Sequence, residues 1–164
     1  MLFRSALITS AAAGNDPVIS EDKIRGYRNF STKIWNVARF VLMNYDSKLD
    51  KIKPKFSVAD RKNLKELEAI RKKVTKNIEA YKFHQAASIT YQYFWHTFAD
   101  KIIEASKPRL TSKNPAERAA AFQTNLQILA GSLKLLHPFM PFITEEIYQK
   151  LPIKNKKLLM IERW

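Results

Sequence analysis

The sequence predicts an all-α fold: an antiparallel bundle of four main helices with a short fifth helix near the C-terminus. Three observations predict it. Only three glycines in 164 residues leave little material for the turns of a β protein. Hydrophobic residues at 46% and aromatics at 12% suffice for a folded core. Apolar positions recur at spacings of three and four through several long segments, as one face of a helix requires.

The elements follow in order. "MLFRSALITSAAAG" carries one arginine and an interrupted apolar run, so it reads as a helical connector rather than a targeting segment. Gly14, Asn15, Asp16 and Pro17 break it, and Ser20 with Glu21 and Asp22 supplies helix-start chemistry. The first long helix is expected from Asp22 to Tyr45, with Tyr27, Phe30, Ile34, Val37, Val41 and Tyr45 as its core stripe. A lysine-rich loop leads to Ser57, which caps the second helix with Asp60 three residues on. That helix is expected to run from Val58 to Tyr81 on Leu64, Leu67, Ile70, Val74, Ile78 and Tyr81, with Glu68 placed to pair with Lys72.

The third helix, "KFHQAASITYQYFWHTFADKIIEASKP", is apolar almost all round and is therefore expected to be central. Its seam is Ala87, Tyr91, Phe94, Phe98, Ile102 and Ala105, and Pro108 is expected to end it. Asn114 and Pro115 open the fourth helix, which carries Phe122, Leu126, Leu129, Leu133 and Leu136. A short helix from Pro141 to Leu151 follows. The basic and then apolar tail "IKNKKLLMIERW" has nothing after it to pack against. The expected organisation is a connector over residues 1–21, a bundle over 22–152 and a tail over 153–164.

Composition also bounds function. A formal charge of +14 repels itself in a compact domain and attracts polyanions, RNA or DNA before an anionic membrane. The absence of cysteine excludes disulfides, thiolate metal sites and a cysteine nucleophile, and it fits a cytoplasmic protein. No run approaches the roughly 18 apolar residues of a membrane-spanning helix. His84, His96 and His137 lie in separate segments with no metal-ligand spacing, and each reads as structural. Glu145 and Glu146 point about 100° apart near a helix start, where the dipole suits them. With glycines only at 14, 26 and 131, no phosphate-cradling loop can form. The expectation is a chain with no catalytic residue and no metal site.

What remains is a second stripe on the first helix: Arg25, Asn29, Lys33, Asn36, Phe40 and Met43. Cations for phosphates, amides for base edges and an aromatic for stacking are what a single-stranded RNA site needs. Against this stands the plain alternative that the face packs on a neighbouring helix, with Phe40 an ordinary contact.

Three segments in order carry a family resemblance: "GYRNFSTKIWNVARFVLMN", "YFWHTFADKIIEASKP" and "SLKLLHPFMPFITEEIYQKL". They resemble the anticodon-binding bundle of class I aminoacyl-tRNA synthetases for branched aliphatic amino acids, and "RNFSTKIWNVARFVLMN" is most similar to the valine branch. "FRSALITSAAAGNDPVIS" and "LLMIERW" resemble the segments entering and leaving that bundle. The resemblance implies a valine–tRNA ligase fragment that grips the anticodon stem-loop of tRNA(Val). The remaining synthetase domains would be its partners and would perform the ATP- and magnesium-dependent chemistry. This chain would hold no cofactor and would be monomeric and cytoplasmic.

The family's H-I-G-H and K-M-S-K-S signatures are absent. Carried over, the resemblance implies RNA contacts from Phe40 first, then Arg25, Lys33, Asn36, Asn29 and Arg39. It assigns Trp35, Leu136, Pro138, Phe139, Pro141 and Phe142 to holding the bundle's shape. Where the family commonly reads D-W-Y-I-E, this chain reads Asp100-Lys101-Ile102-Ile103-Glu104, and Lys101 is a possible phosphate contact there. An isoleucine or leucine enzyme, a free-standing RNA-binding protein, and a basic interaction or membrane-surface module are the alternatives.

Overall fold

The computed structural model describes Ser5, Leu7, Ile8 and residues 20–162. The elements are α1 (Glu21–Met43), a 3-10 turn (Ser47–Lys51), α2 (Val58–Glu79), α3 (Phe83–Gln92), a π-helical stretch (Tyr93–Ile102), α4 (Ile103–Leu110), α5 (Pro115–Leu136), α6 (Pro141–Lys150) and a 3-10 turn (Leu159–Ile161). Counting the continuous rod from Phe83 to Leu110 as one helix, these are the four main helices and the short fifth that the sequence predicts. The connector expected over residues 1–21 lies outside the described residues except at Ser5, Leu7, Ile8, Ser20 and Glu21.

Caps define the helix starts. Ser20 accepts from the Lys23 amide to open α1, and Asn114 accepts from Ala116 to open α5 with Pro115 in its first turn. At α2, Ser57 Oγ accepts from the Asp60 amide at 3.1 Å while the Asp60 carboxylate accepts from the Ser57 amide at 2.7 Å, a full capping box. α2 ends where Tyr81 takes a left-handed φ of 58°. The Tyr81 amide then reaches the Ile78 carbonyl at 2.9 Å and the Lys82 amide reaches Asn77 at 2.8 Å. This is a Schellman stop with tyrosine in the place usually given to glycine, and it reverses the chain into α3.

α5 is the central helix: it contacts α1, α2, α3, α4 and α6, and twelve of its residues are buried. α2 lies against α3 and α5, and α1 lies against the π-helical stretch, α5 and α6. Gly131 lets α2 come close to α5, because a β-carbon there would stand 2.8 Å from Leu67 Cδ2. α1 is fastened by an aromatic group. The Phe30 ring centre is 4.5 Å from Tyr91, and Phe94 and Trp95 each lie 5.8 Å away.

The rod from Phe83 to Leu110 departs most from the sequence expectation. Its buried side runs Ala86, Thr90, Phe94, Phe98, Ile102, Ser106 and Leu110, a step of four throughout. An α-helix advancing 3.6 residues per turn would carry such a seam around its own axis. The wider π turn over Tyr93–Ile102 offsets that drift and keeps the seam facing inward. Consequently Ser106 is buried, bonding Asn125 of α5 at 2.8 Å, and the expected seam residue Ala105 is exposed. The rod also passes through Pro108 and ends at Leu110. Arg109, the residue after the proline, grips Asp60 with both guanidinium nitrogens at 2.7 and 2.8 Å, tying the end of α4 to the start of α2.

Other expectations need correction. α1 stops at Met43, short of Tyr45, and α2 stops at Glu79, short of Tyr81. Glu68 pairs with Arg71 rather than Lys72, because the guanidinium engages both carboxylate oxygens from one turn away. Pro138 and Phe142 do not hold the bundle's shape: Pro138 is exposed and Phe142 is 74% exposed, whereas Leu136 and Phe139 are buried. The tail does find a partner. It folds back on α6, where Lys156 Nζ donates to the carbonyls of Tyr148, Gln149 and Leu151. Leu159 is buried, and its amide donates to Glu145 at 2.9 Å. His137 is structural too: its Nδ1 sits 2.9 Å from Thr144 Oγ1, and burial pushes its pKa down.

Candidate nucleic-acid interface

The stripe singled out on α1 splits in the structure. Arg25, Asn29 and Asn36 are exposed along one line, with Met43 at its end 78% exposed. Among the described residues, Arg25 pairs with the neighbouring Asp22 carboxylate at 3.8 Å. Lys33 and Phe40 lie on the flank turned toward the rod. Lys33 Nζ is 2.7 Å from Asp100 Oδ1 and 5.5 Å from the centre of the Trp95 ring. Phe40 is half-buried against the core, with Lys107 Nζ 6.0 Å above its ring. Asp100 therefore does a structural job at the D-K-I-I-E turn, and Lys101 beside it is exposed.

The aromatic most open to solvent on α1 is Trp35, 42% exposed, not Phe40. Trp35 opens onto a slot of about 280 Å³ between α1 and α6, lined also by Arg39, Met43, Ile147 and Lys150. A flat indole, an apolar floor and two cations at the rim are the elements of a base-stacking site with phosphate neutralisation. Geometry explains why. Trp35 and Arg39 are one helical turn apart and share a side, whereas Phe40 is rotated about 100° from Arg39 toward the core. The signal for Trp35 lies in the sequence as its i,i+4 spacing from Arg39, whereas the family resemblance assigns it to holding the bundle's shape.

Elsewhere the described surface is rich in lysine and arginine. Among the described residues no three His, Asp or Glu side chains converge as a metal would need. No described helix is long and apolar enough to cross a membrane.

A helical bundle with an exposed basic and amide-bearing first helix has the form of an anticodon-binding domain. The chain belongs to that family: residues 60–164 match the anticodon-binding domain of tRNA ligase. Valine–tRNA ligases are among its curated relatives. The enzyme of Syntrophotalea carbinolica is 42% identical over 154 residues, which is 92% of this chain and 17% of that protein. The enzyme of Clostridium tetani is 38% identical over 165 residues, 99% of this chain and 19% of that protein. The chain thus spans less than a fifth of the length of these relatives. Among solved structures, the ligand-free methionyl-tRNA synthetase of Mycobacterium tuberculosis superposes with a TM-score of 0.73 over 89% of this chain and 31% of that one, at 20% identity. That likeness is one of fold.

Proposed function

We propose that this chain is the anticodon-binding part of a longer valine–tRNA ligase, gripping the anticodon stem-loop of tRNA(Val) while the rest of the enzyme activates valine with ATP. The observation that carries the reading is the near-complete match to valine–tRNA ligases, with an exposed face on α1 suited to RNA. The nucleotide and magnesium chemistry in this reading belongs to the remainder of the enzyme. In this reading residues 1–21 lead in from the catalytic part, 22–152 form the grip and 153–164 lead out. The fragment works as a monomer in the cytoplasm.

The contact surface is Arg25, Asn29, Asn36 and Arg39, with Trp35 as the stacking aromatic. Lys33 and Phe40 act at its edge. Fluorescence anisotropy with a labelled valine-tRNA anticodon stem-loop tests the reading, run beside an isoleucine-tRNA stem-loop and a hairpin of unrelated loop sequence. Preference for the valine loop is expected. Trp35→Ala is expected to weaken that binding by about 1–3 kcal/mol, the size of one base–aromatic stack. Phe40→Ala is expected to cost less, because half of that ring already faces protein. Equal binding to all three hairpins would remove loop reading from this chain, and an unchanged affinity in Trp35→Ala would remove the slot from the site.

A further inference from the structure

The α1 face accounts for few of the chain's positive charges. Between residues 48 and 82 stand twelve lysines and arginines against five acidic residues, which is half of the total surplus. On α2 they are ordered. Lys62, Lys65, Lys72, Lys73 and Lys76, with Ala69 among them, form one stripe, and all six residues are exposed. The stripe lies opposite Leu67, Ile70, Val74 and Ile78, which face the core. It extends about 21 Å along the helix.

Among the described residues no carboxylate lies within ion-pairing distance of any of the five. Glu68, at the stripe's border, is taken by Arg71 and draws Lys72 only through space. Like charges one turn apart, such as Lys72 and Lys76, cost a helix stability, and among the described residues only the through-space pull of Glu68 on Lys72 offsets part of it, without a direct ion pair. The bundle maintains the stripe at its own expense.

We propose that this stripe is a second RNA-binding surface, which takes the phosphate backbone of a base-paired stem. Its chemistry selects that partner. Lysine ammonium groups neutralise phosphates, but the stripe has no aromatic to stack a base and no amide to read an edge, so it does not recognise a single-stranded loop. A duplex offers the denser line of charge. A membrane-surface helix would need an apolar face to insert, and the apolar face of α2 is spent on α3 and α5. α2 packs against α3 and α5, while α1 packs on the π-helical stretch, α5 and α6, so the two surfaces belong to different parts of the bundle. The inference stands on the charge pattern and does not depend on what α1 binds.

The test uses the whole chain and a blunt RNA duplex without a loop, with affinity measured from 50 to 300 mM salt. The variant is Lys65→Gln, Lys72→Gln, Lys76→Gln together; glutamine matches lysine in helix propensity, and circular dichroism verifies the fold. Duplex binding is expected to weaken at least tenfold at low salt, with the log–log salt slope falling by about 2 to 3 as three phosphate contacts are lost. The matching Lys→Arg triple is expected to keep both affinity and slope. Loop preference in the hairpin comparison is expected to be untouched, whereas Trp35→Ala alters that preference and leaves duplex binding alone. Three results would overturn the proposal: no duplex binding by the parent chain, an unchanged slope in the folded glutamine triple, or loss of binding to phosphatidylserine vesicles with duplex binding retained.

Discussion

Phe30→Ala is expected to destabilise the bundle by about 3–5 kcal/mol, the range for removing a fully buried aromatic from a packed core. Phe30 is 1% exposed and is the point where α1 meets Tyr91, Phe94 and Trp95 of the rod. No neighbour is free to fill the void, because Phe94 already packs on Phe98 and Tyr91 already packs on Trp95. Urea unfolding followed by circular dichroism measures the change. The midpoint should fall with the slope held, the signature of lost stability rather than of a changed unfolded state. The functional readout is separate: with its anchor gone, α1 loses its fixed place beside α6, and hairpin-loop preference should fall further than duplex binding. A shift below about 1 kcal/mol would show that Phe30 is not the anchor.

Asp60→Ala is expected to cost about 3 kcal/mol, combining a lost helix cap with a broken, largely buried ion pair. The carboxylate is 2% exposed and holds four polar contacts: two from Arg109, and one each from the Ser57 amide and hydroxyl. The Arg109 side chain is 28% exposed, so water recovers part of the loss, which keeps the figure at the lower end for buried pairs. Burial alone would raise the Asp60 pKa. The Arg109 fork and the two Ser57 hydrogen bonds outweigh it and hold the carboxyl below its ordinary value. A depressed folded-state pKa gives stability that is fully present above the unfolded value of about 3.9 and lost as pH falls through the folded one. The gap between the parent chain and Asp60→Asn should therefore be constant from pH 7 to 5 and close below pH 4. A gap that persists at pH 2 would assign the effect to packing instead of charge.

The same two residues show what a sequence reveals and what it withholds. The Ser57–Asp60 box is legible because capping is local: both partners lie within one turn and their chemistry is specific to helix starts. Arg109 is not legible, since its carboxylate is 49 positions away and several acids would serve equally well on paper. Core stripes follow the same rule. On α1 the 3.6-residue period locates Phe30, Ile34, Val37 and Val41 correctly, because that helix is regular. On the rod the period itself is wrong from Tyr93 onward, so Ala105 is misread and Ser106 is missed. Trp35 marks a third kind of limit. Its type and spacing fit either a core or a stacking site, and only the position of α6 leaves it open.

The tail illustrates the same point from the other side. Its lysines look alike in sequence, yet burial lowers the pKa of Lys156 and three backbone carbonyls surround its ammonium. A cation at a helix C-terminus is favoured by the dipole, but sequence alone does not say which of four nearby lysines will fill the role.

The π-helical stretch has a consequence for how this chain tolerates changes of length. Ten residues wound more loosely than an α-helix hold slack, so loss of one codon between Tyr93 and Ile102 need not break the rod. The helix can tighten by one residue instead. Losing one residue removes about 100° of rotation, and tightening the remaining turns from the wider π winding to α winding restores about as much. Ser106 and Arg109 would then keep facing Asn125 and Asp60. An in-frame loss of one residue here would be absorbed as a change of winding, with the far end of the rod still aimed at the same neighbours.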